Sequence, residues 1–189
     1  MDARGRLKGS REAGEGGNTA APSVASVPRA VVAWSETLAL VAALYVGVPW
    51  AGLAIDRTVG APALPDAARW AGVLPIVLGA GGLAWCFSLF IRVGDGTPNP
   101  VRPPQRLVTT GPFAWTRNPI IGSHCLALVG EGLAVGSLGA IALVVLIAAP
   151  VVAVVRNEET RLAARFGEEY RRYAAAVPRW VPRRPRGQS

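Results

Sequence analysis

The chain has 189 residues, 51% of them hydrophobic and 17% charged, with a net charge of +8. That charge fraction lies below the roughly 25% of a typical soluble domain, and the mean hydropathy is +0.32. Two cysteines exclude a disulfide scaffold or a multi-cysteine zinc site, and a single histidine, His124, leaves no set of imidazoles for a metal or a Ser-His-Asp triad.

Residues 1–28 are rich in Gly, Ala, Ser and charge. They read as a disordered tail ahead of a membrane domain over 29–182, with 183–189 trailing off likewise. The early charges and the lack of an apolar core there do not fit a signal peptide. The first charge-free run is Thr37 to Ile55, 19 residues, and the second is Trp70 to Ile91, 22 residues, closed by Arg69 and Arg92. Uncharged apolar runs of about 18 or more read as membrane spans, here near 34–55 and 70–92. Asn118 to Val155 is 38 residues broken by one charge, Glu131. As one helix it would reach roughly 57 Å, against a hydrocarbon core of about 30 Å. It therefore folds back at Gly130, Gly132, Gly136, Ser137 and Gly139, giving spans near 118–133 and 137–155. The expected fold is all-α and integral to the membrane, with four transmembrane helices, the last two a hairpin.

Basic residues number five before the first span, two in the first loop, four in the second, none in the third and nine after the fourth. Such residues concentrate on the cytoplasmic side. Both termini and the second loop are accordingly expected in the cytoplasm of a multi-pass protein, and the composition points to a bacterial inner membrane. The bases follow the topology, so no nucleic-acid partner is expected. The bilayer is the partner, and no metal is expected.

Two patterned polar segments fall on that cytoplasmic side. The first opens with Gly96-Thr97-Pro98-Asn99-Pro100-Val101-Arg102-Pro103-Pro104, too rich in proline to be helical. It runs through Gln105 to Phe113 and on to Trp115-Thr116-Arg117-Asn118-Pro119, where Pro119 suits the first turn of the third span and Asn118 its cap. The start of that helix offers unpaired N–H groups to an anion. The second segment is Arg156-Asn157-Glu158-Glu159. Beyond it Leu162, Phe166, Tyr170, Tyr173 and Val177 step by four, four, three and four, an amphipathic helix over 157–176 ended by Pro178. It is expected on the membrane surface or over the spans, with Glu158–Arg161, Glu168–Arg171 and Glu168–Arg172 as favourable pairs.

The order Arg106-Leu107-Val108-Thr109-Thr110-Gly111-Pro112-Phe113, Arg117-Asn118-Pro119, Gly130-Glu131, Glu158-Glu159, Phe166-Gly167-Glu168-Glu169-Tyr170 and Val177-Pro178 resembles the isoprenylcysteine carboxyl methyltransferase family. That family is a branch of the membrane methyltransferases that also include phospholipid N-methyltransferases. The resemblance covers about residues 95–182. It implies S-adenosyl-L-methionine as methyl donor and a hydrophobic or lipid-linked methyl acceptor, a carboxylate in the isoprenylcysteine enzymes. By position, the cofactor residues it implies are Gln105, Arg106, Leu107, Val108, Phe113, Arg117, Asn118, Pro119, Ile120, Ile121, Glu158 and Glu159, with Arg156 near the acceptor. Asn118 and Ile121 replace the family's His and Tyr, and Gln105 another His. No catalytic residue is assigned.

In physical terms, a carboxylate acceptor needs no general base and an amine need only be neutral, so such a site supplies position and desolvation. The start of the third span, with Arg117 or Arg106, suits the donor's carboxylate. Glu158 suits its ammonium or ribose hydroxyls, and Phe113 or Trp115 its adenine. Each has a plainer reading: Arg106 and Arg117 as positive-inside anchors, Glu158 and Glu159 as an acidic first turn, Phe113 and Trp115 as interfacial aromatics. His124 reads as a hydrogen-bonded packing residue, and Cys86 and Cys125 as core thiols. Glu131 reads as structural or facing water at the bend, and Glu36 as the end of the first span. The alternatives are a membrane reductase of the related sterol-reductase type and a non-catalytic membrane protein that retains the fold.

Overall fold

The computed structural model describes residues 35–95 and 104–183. The expected tail at 1–28, all of the expected tail at 183–189 except Arg183, and the proline-rich stretch 96–103 lie outside the described residues. Helices and short turns account for all regular structure among the described residues. Helix α1 is Ser35–Val59, α2 Asp66–Ala71, α3 Val73–Arg92, α4 Pro119–Val135 and α5 Leu138–Ala176. The α1 segment, the run Asp66–Arg92 and α5 are long and apolar enough to cross a membrane; α4 is apolar but only 17 residues long.

Helix ends follow local chemistry. Pro75 has no N–H to give the carbonyl of Ala71, so the rod from Asp66 to Arg92 loosens at Gly72 between α2 and α3. In α1 the missing N–H of Pro49 leaves the Tyr45 carbonyl without its usual donor. The preceding turn widens to a π turn over Ala43–Gly47, with Val48 N–H bonding Ala43. The bend between α4 and α5 is a Schellman turn: left-handed Gly136 (φ 75°) and Ser137 donate to the carbonyls of Leu133 and Gly132. Ser137 then caps α5 through Ala140 N–H at 2.9 Å. Asp56 at the end of α1 accepts from Ser137 Oγ at 2.6 Å and from Gly139 N–H at 2.8 Å. One carboxylate thus ties α1 to the start of α5, where the helix dipole favours an anion.

The expected separate amphipathic helix is continuous with the fourth apolar run. Nothing between 155 and 157 breaks the hydrogen-bond ladder, and α5 continues to a kink at Gly167 (φ 56°, ψ −126°), a backbone that favours glycine.

Packing runs in the order α3–α4–α5–α1. Glycine lets backbones touch at two crossings. A Cβ on Gly79 of α3 would lie 2.6 Å from the Ser123 carbonyl and 2.7 Å from Ala127 N of α4, and one on Gly52 of α1 would overlap Ala140 of α5. With no hydrophobic drive between helices in lipid, such close van der Waals contact holds spans together. Between α1 and α4, the Tyr45 hydroxyl and His124 Nδ1 share a 2.7 Å hydrogen bond. Glu131 does not simply face water: its Oε2 is buried with no hydrogen-bond partner among the described residues. Outward residues such as Leu74, Val77, Val145 and Leu146 are largely exposed, as lipid-facing positions are.

Gly79→Leu is expected to destabilise the bundle by about 1–3 kcal/mol or more, read as a lowered midpoint of thermal unfolding in detergent. Gly81→Ala, where nothing lies within 4 Å of the added carbon, is expected to leave the midpoint unchanged or raise it slightly.

Candidate functional site

The helix bundle opens at the end where α3 stops, α4 starts and α5 runs on past its neighbours. The segment 104–118 is pinned there first. Gln105 and Arg106 N–H both donate to the Gly94 carbonyl, at 2.7 and 3.2 Å. Val108 and Phe113 are buried against Cys86 of α3, with Leu89, Phe90 and Ile120 packed around them. Gly111 (φ 60°) leads into a tight turn over Gly111–Ala114. The Tyr173 hydroxyl donates to the Phe113 carbonyl at 2.8 Å, fastening the last turns of α5 over the segment.

A second set of bonds fastens the residues after α5. Arg117 N–H donates to the Pro178 carbonyl at 2.9 Å and Arg183 N–H to that of Trp115 at 3.0 Å. Thr116 Oγ1 and Asn118 Nδ2 both donate to the Arg179 carbonyl, at 2.9 and 3.1 Å. Asn118 sits at the cap position of α4 but its side chain makes no cap bond. The Arg179 carbonyl holds its Nδ2, its Oδ1 makes no cap bond, and the first turn of α4 has no side-chain cap.

Glu159 joins these parts. Arg117 Nη1 lies 3.0 Å from its Oε1, and Arg179 donates from Nε at 3.0 Å to each oxygen and from Nη2 at 2.6 Å. The Arg117 and Glu159 side chains are only 14% and 12% exposed. Two guanidiniums on one carboxylate leave an excess positive charge, and Arg117 Nε is buried with no hydrogen-bond partner among the described residues. Glu158, one residue before, makes no ion pair among the described residues. The expected Glu158–Arg161 pair does not form, whereas Glu168–Arg171 closes at 3.3 Å.

Between the two stretches lies a cavity of about 680 Å³, within the usual range for small-molecule sites. Its walls bring together Arg106, Leu107, Val108, Phe113, Arg117, Asn118, Pro119, Ile120, Ile121, Glu158 and Glu159. Gln105 lines a smaller adjoining pocket instead and accepts a 3.4 Å bond from Arg165. Arg156 lines neither and is exposed. The face of α5 on the cavity carries Val155, Glu158, Glu159, Leu162 and Phe166, and position 156 is a quarter-turn off it. Trp115 also lies outside, edge-on to Trp85 at 5.7 Å, while Phe113 lines the wall against Phe90. Sequence reasoning missed Arg179, which lies beyond the proline that ends the helix, and it placed Tyr170 and Tyr173 on an apolar face without a role. Their spacing from Glu159 (three turns and four) was the available signal.

Burial raises the pKa of Tyr170, and nearby Glu159 raises it further. Burial also raises that of Tyr173, with Tyr170 adding to it. The hydrogen bond to Glu159 raises that of Arg179.

The phospholipid methyltransferase family matches residues 68–169, more than half of the chain and nearly the whole cavity. The chain belongs to the phospholipid methyltransferase family. Its family is one of methyltransferases, and the apolar helices fit a membrane protein. The cobalt-zinc-cadmium resistance protein CzcN of Cupriavidus metallidurans is 34% identical over 113 residues, 59% of this chain and 48% of the relative. The nickel-cobalt-cadmium resistance protein NccN of Alcaligenes xylosoxydans xylosoxydans is 30% identical over 112 residues, with the same coverage of each chain. The match thus spans about half the length of these curated relatives. No solved structure matches the chain.

Two outcomes follow from this geometry. Glu159→Gln leaves Arg117 buried beside Arg179 without a counter-charge and is expected to cost about 3–5 kcal/mol in thermal unfolding, more than Arg179→Ala, whose side chain is 33% exposed. The raised tyrosines favour the fold in their protonated form. That contribution is complete below the unfolded value of about 10 and is lost as pH climbs through the folded values. An alkaline titration is therefore expected to show phenolate absorbance of Tyr170 and Tyr173 lagging a model peptide and appearing together with loss of helix signal.

Proposed function

We propose that this chain is an S-adenosyl-L-methionine-dependent methyltransferase of the membrane. Its acceptor is hydrophobic or lipid-linked, a carboxylate of the isoprenylcysteine type or a lipid amine. Both termini and the cavity face the cytoplasm, in keeping with the distribution of basic residues. The observation that carries the reading is the meeting of 106–121 and 155–173 around one cavity whose polar groups match the donor. Arg117, with its unpartnered Nε, and the uncapped first turn of α4 answer a carboxylate. Glu158, which makes no ion pair among the described residues, answers an ammonium or ribose hydroxyls. Phe113 and Phe90 form an apolar wall for a purine, and the aromatic faces of Phe166 and Tyr170 favour a cationic centre.

When bound, the donor supplies an electrophilic methyl group on a sulfonium. The chain's own task is then positional. Glu159 is occupied by two arginines and holds the wall rather than moving a proton. Glu158 and Arg117 fix the two ends of an amino-acid group, and Leu162, Ile120 and Ile121 exclude water. Lipid access between helices lets an acceptor keep its tail in the bilayer. The relatives' metal-resistance names extend to this chain as a setting, through a methylated membrane acceptor. Among the described residues no group of three His, Cys, Asp or Glu side chains is placed to hold a metal ion.

Titration of the purified protein with S-adenosylhomocysteine tests the reading. Binding is expected, weakened about tenfold in Glu158→Ala, the loss of one charged hydrogen bond. Unchanged affinity in that variant removes Glu158 from the site. Binding of reduced nicotinamide instead makes the protein a reductase, and binding of neither makes it non-catalytic. Labelled-methyl transfer in native membranes identifies the acceptor.

A further inference from the structure

Beside the main cavity, and sharing Arg106, Leu107 and Phe166 with it, lies a pocket of about 480 Å³ at the end of α3. We propose that this pocket binds the phosphate group of an anionic lipid, gripped between Arg92 and Arg106. The proposal shares Arg106 with the cavity of the methyltransferase reading but does not require methyl transfer.

Four observations carry it. Arg92 is the last residue of the apolar run Asp66–Arg92, so its guanidinium sits where hydrocarbon gives way to headgroups. Arg106 is fourteen positions away in sequence, but the Gly94 carbonyl holds the N–H groups of both Gln105 and Arg106 and brings it to the same level. A Cβ at position 94 would meet the Phe90 carbonyl at 2.9 Å and Val108 at 3.1 Å, so the geometry depends on that glycine. Neither Arg92 nor Arg106 makes an ion pair among the described residues. Arg165 reaches the edge of the pocket from α5 through its bond to Gln105.

Glu169 is the acid in the lining. It pairs with neither arginine and opposes an anion without cancelling two guanidiniums. Adjacent guanidinium forks suit the several oxygens of a phosphate, and basic pockets between spans at the membrane edge take phospholipid headgroups. Gln105 also lines the pocket, and the rest of the wall, Val93 and Leu107 with Phe166, is apolar. Ile91, 64% exposed just before Arg92, continues toward the acyl region. A phosphate held here lies against the mouth of the main cavity.

The test uses the full chain in phosphatidylcholine nanodiscs containing a minor share of phosphatidylglycerol, with native mass spectrometry of the lipid retained. Selective retention of phosphatidylglycerol is expected. Arg92→Gln is expected to lower it about tenfold, the loss of one charged hydrogen bond. Glu169→Gln is expected to raise it, a gain that misfolding cannot imitate. A millimolar excess of inorganic phosphate distinguishes the sources: retention that persists assigns the site to the lipid, and displacement assigns it to free phosphate. Equal retention by wild type and Arg92→Gln, or reduced retention in Glu169→Gln, overturns the proposal. S-adenosylhomocysteine affinity in Arg92→Gln is expected to match wild type, so failure of the lipid site and failure of the methyltransferase reading are told apart.

Discussion

The cavity end of this protein depends on one carboxylate. Glu159 projects from a helix that is otherwise free to extend past the bundle, and it accepts from Arg117 at the start of α4 and from Arg179 beyond the end of α5. Three stretches of chain meet at that point. Neither charge of the Arg117–Glu159 pair has ready access to water, so their attraction is poorly screened and their separation would be costly. The pairing also determines what the neighbouring residues can do. Arg179, held by its side chain, presents its carbonyl to Thr116 and Asn118. The first turn of α4 is left without a side-chain cap, and Glu158 makes no ion pair among the described residues.

Much of this arrangement could be read from residues alone, for a physical reason. Hydrocarbon excludes charge, so the uncharged runs mark the helices. A 38-residue run had to fold back, and the glycines and Ser137 marked the place. The segments expected to share one face do meet, since both follow or precede spans that end at the same level. What stayed hidden was non-local or conflicted with a local rule. Arg179 is twenty residues from Glu159 and follows a proline that reads only as a terminator. Asn118 has the right chemistry for a cap, but its Nδ2 is held by a carbonyl brought in by tertiary structure and its Oδ1 makes no cap bond. The kink at Gly167 is invisible to a periodicity that steps across it. Arg156 was grouped with Glu158 and Glu159 by proximity in sequence, although a helix sends position 156 to a different side.

The family match begins at residue 68 and leaves out α1. In the structure α1 is no loose addition. It crosses α5 backbone to backbone at Gly52 and Ala140, bonds His124 of α4 through Tyr45, and caps α5 through Asp56. The matched core and this first helix make one packed unit. The polar contacts of α1 sit at midspan and at the end away from the cavity, where they brace α5 without touching the site.

That bracing has a mechanical consequence. From Leu138 to Phe166 one helix, with Pro150 inside it, carries both the segment that sits in lipid and the acids that line the cavity. A span adjusts to a thicker or thinner bilayer mainly by tilting. α5 is held at both ends, by Asp56 at Ser137 and by two arginines at Glu159 some 33 Å along the axis at 1.5 Å per residue, and the hydrogen bond that Pro150 cannot give puts the weakest rung of the helix between those two anchors.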